Sequence, residues 1–213
     1  MKTLLSVGTA RTPTSKHFRY LFKRYTVDIL LISALLVGLI SGAVCAGNAD
    51  ELLISRLDFL FTSDFHARCD QTILYSFIAS LTANFLFFVC NILCGLSLWG
   101  IVGVPFLIAF KGFGISLTGG YLYKYYHFGG IGFFLLVMLG GYVISALALI
   151  CQGKYTVQFS KNLFARHKGN SLSASQSIYS YIISNSFILI ALAISSMVDA
   201  LCNTLFAGIF NFL

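Results

Sequence analysis

Charge is scarce in this chain. Asp, Glu, Lys and Arg make up 10% of its 213 residues, against ~25% in a soluble globular domain. Proline occurs twice and tryptophan once. The sequence has no histidine pair at zinc-protease spacing, no Walker phosphate loop and no Gly-x-Ser-x-Gly elbow. His17, His66, His127 and His167 are scattered over loops and span edges, where imidazoles are ordinarily surface groups. No catalytic constellation is therefore expected, and no metal or cofactor.

Hydrocarbon is what the chain has instead. Apolar residues reach 58%, phenylalanine alone numbers 21, and the mean hydropathy is +0.86. A small fold exposes too much of its surface to hide this much apolar material. A water-soluble enzyme, a disulfide-stapled secreted module and a disordered chain are all excluded. The expected class is all-α, a polytopic membrane bundle in one domain.

A bilayer core of ~30 Å needs about 20 apolar residues in a helix. Five stretches qualify: 29–46, 73–93, 101–123, 131–150 and 178–200. They are too uniformly apolar for barrel strands, which alternate. Residues 1–28 form a basic lead, and 29–213 form a single membrane domain. The lead, the first apolar run and Val44-Cys45-Ala46 also have the outline of a signal peptide, but the run reaches spanning length and reads as a retained anchor.

The net charge of +7 reports topology rather than nucleic-acid binding. Lys2, Arg11, Lys16, Arg19, Lys23 and Arg24 precede the first span, and Lys154, Lys161, Arg166 and Lys168 lie between the fourth and fifth. With five spans these ten fall on one side, against Arg56, Arg68 and Lys124 on the other. Basic residues collect on the cytoplasmic side. The amino terminus is expected inside and the carboxyl terminus outside.

Two segments outside the spans carry a pattern. In 48–61, Asn48 and Glu51 have capping-box spacing, and Leu53, Leu57, Leu60 and Phe61 share one helical face. Such a helix would rest on the outer membrane surface, on the bundle or on a docking partner, with Leu53, Leu57 and Leu60 as its contacts. Inside, 154–176 reads as a basic loop with aromatics interleaved, suited to the anionic leaflet of the bilayer. Cys90 and Cys94 stand one turn apart without the further ligands a zinc site needs. Cys45 and Cys69 both fall outside, and their spacing does not establish a disulfide.

The most informative stretch is 84–132. Asn84 and Asn91 are seven residues apart and share a face of the second span. Ten of the 19 glycines lie between Gly95 and Gly132, a density that permits close packing or broken and re-entrant helices. Gly100, Gly103 and Pro105 suit a tight cytoplasmic reversal. Lys111, flanked by Gly112 and Gly114, falls near the middle of the third span. A charge there is either a functional site or a structural group bonded to exposed carbonyls. On the structural reading Lys111→Met is tolerated.

Residues 84–121, with Asn84, Asn91, Gly95, Gly100, Gly103, Pro105, Lys111, Gly112 and Gly114, resemble the core of the stage II sporulation protein M family. The likeness extends to length, five spans and an inside amino terminus. The resemblance implies a non-catalytic scaffold of endospore formation, located at the sporulation septum. Its partners would be an extracytoplasmic lytic transglycosylase and an amidase/endopeptidase, gathered for septal wall thinning and engulfment. No nucleic-acid partner is implied, and a homo-oligomer is compatible. The competing expectation is a membrane subunit of a transport system, an ABC-transporter-associated permease-like component in which Lys111 lines a polar path.

Overall fold

The computed structural model describes residues 14–48, 61, 72–97, 99–167 and 178–209. Every element among them is helical: α1 (Thr14–Ala46), α2 (Ile73–Leu96), α3 (Gly100–Phe133), a π-helical turn (Phe134–Met138), α4 (Leu139–His167), α5 (Ile178–Phe206) and a final 3₁₀ turn (Ala207–Ile209). Helices are what these apolar runs must form, because lipid offers no partners for unpaired backbone groups. Among the described residues, four segments are long and apolar enough to cross a membrane: Tyr25–Ala46, Ile73–Leu96, Gly100–Leu163 and Tyr179–Ile209.

The third of these has 64 residues. As one straight helix it would measure about 96 Å, roughly three bilayer cores. It does not run straight. His127 takes φ 50, ψ −127, the one positive-φ residue other than glycine among those described. Just beyond it, a side chain on Gly130 would collide with the Leu122 carbonyl. The chain folds back there, so that Leu122 packs in one cluster with Phe133, Val137 and Met138. Farther along, Val104 and Ile108 meet Val157. α3 and α4 thus form an antiparallel hairpin.

The remaining directions follow from side-chain pairings. Gly38 faces Ala109, Gly42 faces Phe113 and Ala46 faces Gly120, so α1 and α3 run parallel. Asn91 meets Gln152 and Gly95 meets Thr156, so α2 and α4 run parallel. Gln152 meets Asn185 and Thr156 meets Tyr181, so α5 opposes both. α1 packs mainly along α3 and more lightly on α4, and barely touches α2. At the base of α1, Lys154 pairs with Asp28 at 2.9 Å.

Three expectations are corrected. Residues 154–167 are not a loop, because α4 continues to His167. Val157, Phe159 and Ser160 are buried there, and Phe159 stacks on Tyr181 with ring centroids 4.5 Å apart, so packing sustains the helix past its apolar run. Residues 14–28 of the basic lead are likewise the first turns of α1. The glycines between Gly100 and Gly120 do not break α3. They lie inside a helix whose described departure is at His127. The α2–α3 reversal comes earlier, around Ser97 and Trp99, where Ser97 is extended (φ −96, ψ 151) and donates its N–H to Cys94 O. Gly100, Gly103 and Pro105 follow it, in the opening turns of α3.

Candidate functional site: a buried lysine and its polar neighbours

Lys111 projects from α3 into the bundle and is 3% exposed. Its Nζ donates to Asn84 Oδ1 at 3.1 Å. It also stands 4.8 Å from the centroid of the Phe87 ring and 5.8 Å from that of Tyr142, within the ~6 Å range of a cation–π contact. Asn84 Nδ2 donates onward to Ser196 Oγ at 3.2 Å, and Ser196 Oγ donates to Leu192 O at 3.0 Å. One turn along α5, Asp199 is also buried, 2% exposed. The ammonium therefore has an amide oxygen and two ring faces around it, with a buried acidic residue on the neighbouring α5. This is how a charge is kept in a low-dielectric interior.

Close backbone approach makes room for the site. A Cβ on Gly141 would lie 2.7 Å from Asp199 Cβ, and Ser195 Oγ donates to Gly141 O at 2.7 Å. Phe61 adds another wall. It is 2% exposed, its ring centroid lies 5.3 Å from that of Phe110 and 6.1 Å from that of Phe87, and its carbonyl accepts from Tyr142 OH at 2.6 Å. The ring rests on Gly114, where any side chain would displace it.

A second polar level lies toward Ser97. Asn91 Nδ2 donates to Gln152 Oε1 at 3.2 Å. Gln152 Nε2 donates to Phe88 O at 3.1 Å and to Asn185 Oδ1 at 3.0 Å. Asn185 Nδ2 donates to Tyr181 O at 2.8 Å. The Asn91 Oδ1 atom is buried without a partner. Between the two levels stands an apolar layer: Phe87 and Phe88 on α2, Ala148 and Leu149 on α4, Ile188 and Leu192 on α5. Each pair separates a polar residue of one level from a polar residue of the other on the same helix.

The sequence-predicted residues thus divide among several places. Lys111 and Asn84 meet, whereas Asn91 belongs to the second level. Gly112 faces α1, where a Cβ would lie 2.6 Å from Leu35 O. Gly95 lies under Tyr181 and Thr156, Gly100 against the Cys94 carbonyl and Ser160, and Gly103 beside Cys94 Sγ. Pro105 is half-buried in the second turn of α3. Leu53, Leu57, Leu60 and Cys69 lie outside the described residues. Phe61, expected on the same face as the three leucines, is inside the bundle.

Sequence reasoning missed Gln152, Asn185, Ser196 and the Gly38/Gly42 pair. The pair had a readable signal, Gly38-Leu-Ile-Ser-Gly42, the small-xxx-small spacing of close helix packing. Among the described residues no three potential metal ligands converge. What the arrangement does chemically is bind helices together through amides, hydroxyls and one buried charge. Comparison with protein-family models, with curated proteins and with solved structures gave no match.

Proposed function

We propose that this chain is a five-span, non-catalytic membrane scaffold with its amino terminus inside and its carboxyl terminus outside. In this reading it serves endospore formation by holding an extracytoplasmic lytic transglycosylase and an amidase/endopeptidase at the septum. Folding of Gly100–Leu163 at His127 supports counting it as two spans. The alternating helix directions and the ten-to-three distribution of basic residues support the orientation. The assignment to sporulation rests on the resemblance of residues 84–121.

The observation that carries the scaffold over a conduit is the use made of the interior polar groups. Within the two levels they are spent on one another save for Asn91 Oδ1, and the levels are parted by the Phe87, Phe88, Leu149, Ile188 and Leu192 layer. A transport subunit is the second reading, favoured by the buried ionisable side chains of Lys111 and Asp199. It requires that layer to open.

The test is deletion in sporulating cells combined with assays of the purified proteins. Loss of the chain is expected to arrest septal thinning while the isolated hydrolases stay active. Peptidoglycan cleavage by the purified chain alone would overturn the scaffold. Labelling of introduced cysteines tests the topology: positions near Lys16 and Lys161 are expected inside, and those near Asp64 and the carboxyl terminus outside.

A further inference from the structure

Tyrosine and tryptophan are sorted on the outer surface of the bundle. Among the described residues, every exposed one belongs to one of two groups. Tyr25, Trp99, Tyr155 and Tyr179 gather toward one end of the bundle, and Tyr75, Tyr123 and Tyr125 toward the other. The large exposed side chains between the groups are aliphatic residues, Met197 and phenylalanine. Phenylalanine is the internal control: Phe85, Phe106 and Phe187 are exposed in the zone that tyrosine and tryptophan avoid. The sorting therefore follows the polar atom and not the ring, since a phenol hydroxyl or an indole N–H needs a hydrogen-bond partner and a phenyl ring does not. Exposed charge respects the same limits. Lys124 and Lys161, the exposed lysines among the described residues, lie beyond the zone.

Contacts across the bundle put each group at one level. Tyr25 comes one turn before Asp28, which pairs with Lys154 beside Tyr155. Trp99 precedes Gly100, where a Cβ would meet Ser160. Tyr179 comes two residues before Tyr181, whose hydroxyl lies 3.4 Å from Thr156 Oγ1. Referred to α4, the four fall between positions 155 and 161, about 9 Å of helix axis and little more than one headgroup layer. At the other end, Tyr75 comes nine residues before Asn84 and Tyr123 twelve after Lys111. Asn84 and Lys111 meet on opposed helices, so Tyr75 and Tyr123 stand within about one turn of each other. Each group is a collar around the bundle.

The collars are spaced as a bilayer requires. Tyr123 follows Trp99 by 24 residues, about 36 Å of helix. That span exceeds the ~30 Å hydrocarbon core and falls short of the ~40–45 Å that includes the headgroups, so both collars reach the interfacial layers, where tyrosine and tryptophan are enriched. Lys111 is twelve residues from each. We propose that the collars are lipid-contact sites that seat in the two headgroup layers of a phospholipid bilayer and hold the protein at one depth, with Lys111 at the midplane. They do so in either orientation of the chain, whether or not it is a scaffold.

Trp99 is the sole tryptophan, so the unaltered protein tests the first collar by its own fluorescence. The whole chain is placed in phosphatidylcholine vesicles whose acyl chains carry bromine either close to the headgroup or close to the chain end. The ratio of the first quenching constant to the second is expected to exceed unity for Trp99. In a Trp99→Phe background it is expected to exceed unity again for Tyr75→Trp, Tyr123→Trp and Tyr179→Trp. Ile40 is exposed and level with Lys111, since Gly38 faces Ala109 and Gly42 faces Phe113. For Ile40→Trp, and for Ile190→Trp on the exposed face of α5, the ratio is expected to fall below unity. The same ratio at collar and intervening positions would overturn the proposal. Shielding of Trp99 from both lipids would do so too, by putting a protein partner over the collar. Should the variants fail to fold, native Trp99 still decides: a ratio below unity would refute the first collar and the depth it sets.

Discussion

Lys111 Nζ donates to Asn84 Oδ1 at 3.1 Å, across a bundle interior in which both residues are buried. Asn84 hands the bond on to Ser196 of α5, so one lysine on α3 is tied through one amide to a third helix. Asp199, one turn along α5 from Ser196, is buried as well.

That carboxylate changes what Lys111→Met is expected to do. Taken from sequence, a methionine of similar length replaces a costly ion. In the bundle the change strips Asn84 Oδ1 of its donor and takes a positive charge away from buried Asp199; removing one member of a coupled buried pair costs about 3–5 kcal/mol. Lys111→Met and Asp199→Asn are each expected to lower the melting temperature in detergent. The double change Lys111→Met/Asp199→Leu is expected to recover most of it. A Lys111→Met protein as stable as the parent would show that the two charges are not coupled.

Gly38 and Gly42 set the spacing of α1 on α3. A methyl group on Gly38 would run into the Ala109 carbonyl, and one on Gly42 into that of Phe113. Gly38→Ala and Gly42→Ala are each expected to cost about 1–3 kcal/mol, the usual penalty of overpacking. Gly47→Ala meets only ordinary contact and Gly208→Ala meets nothing, so both serve as silent controls. Thermal unfolding of the four variants checks the contrast. Equal stability of all four would mean that α1 is not seated as described.

Gln152 joins three helices through Asn91, Asn185 and the Phe88 carbonyl. Gln152→Leu leaves those buried groups without their partner, at about 1–3 kcal/mol. Asn91 suffers most, since its Oδ1 already lacks a partner. The variant is expected to unfold at lower temperature, and Gln152→Glu is not expected to rescue it. A neutral Gln152→Leu would make the second level decoration rather than glue.

Phe61→Ala removes a buried ring held by Phe87, Phe110 and Gly114, a change that typically costs about 3–5 kcal/mol. Limited proteolysis is then expected to cut near residue 61 faster than in the parent. Gly114→Leu, which evicts the same ring from the opposite side, is expected to have the same effect. By contrast, serine at Leu53, Leu57 and Leu60 is expected to weaken recruitment of a partner, read by co-purification, while insertion persists. Unchanged cutting in both Phe61→Ala and Gly114→Leu would detach Phe61 from the bundle.

The apolar runs gave the helices, because length and hydropathy are local properties of a chain in lipid. Their ends were less legible. Nothing in Lys154–His167 itself says helix; burial of Val157 and Phe159 against other helices does. Asn84 and Lys111 stood out as misplaced polar groups and do meet. Asp199 was visible, but its depth relative to Lys111 depends on how α5 is set against α3. Gln152 was overlooked because it sits at a span edge, where an amide is unremarkable until a partner arrives from a distant segment, and Asn185 because its partner is that same amide. Gly112 looked like part of the lysine site from its neighbour in sequence, yet consecutive helical residues point to different faces.

The parallel seating of α1 on α3 bears on how the chain is made. α1 leaves the ribosome before α2 to α5, and its neighbours are α3 and α4, with α2 barely touched. No hairpin of the first two helices can hold it in place. α1 must wait alone in lipid while α2 is threaded, and it docks only when the glycine-faced side of α3 appears beside it. A nascent chain halted after α2 leaves the first helix unanchored, and one halted after α3 captures it.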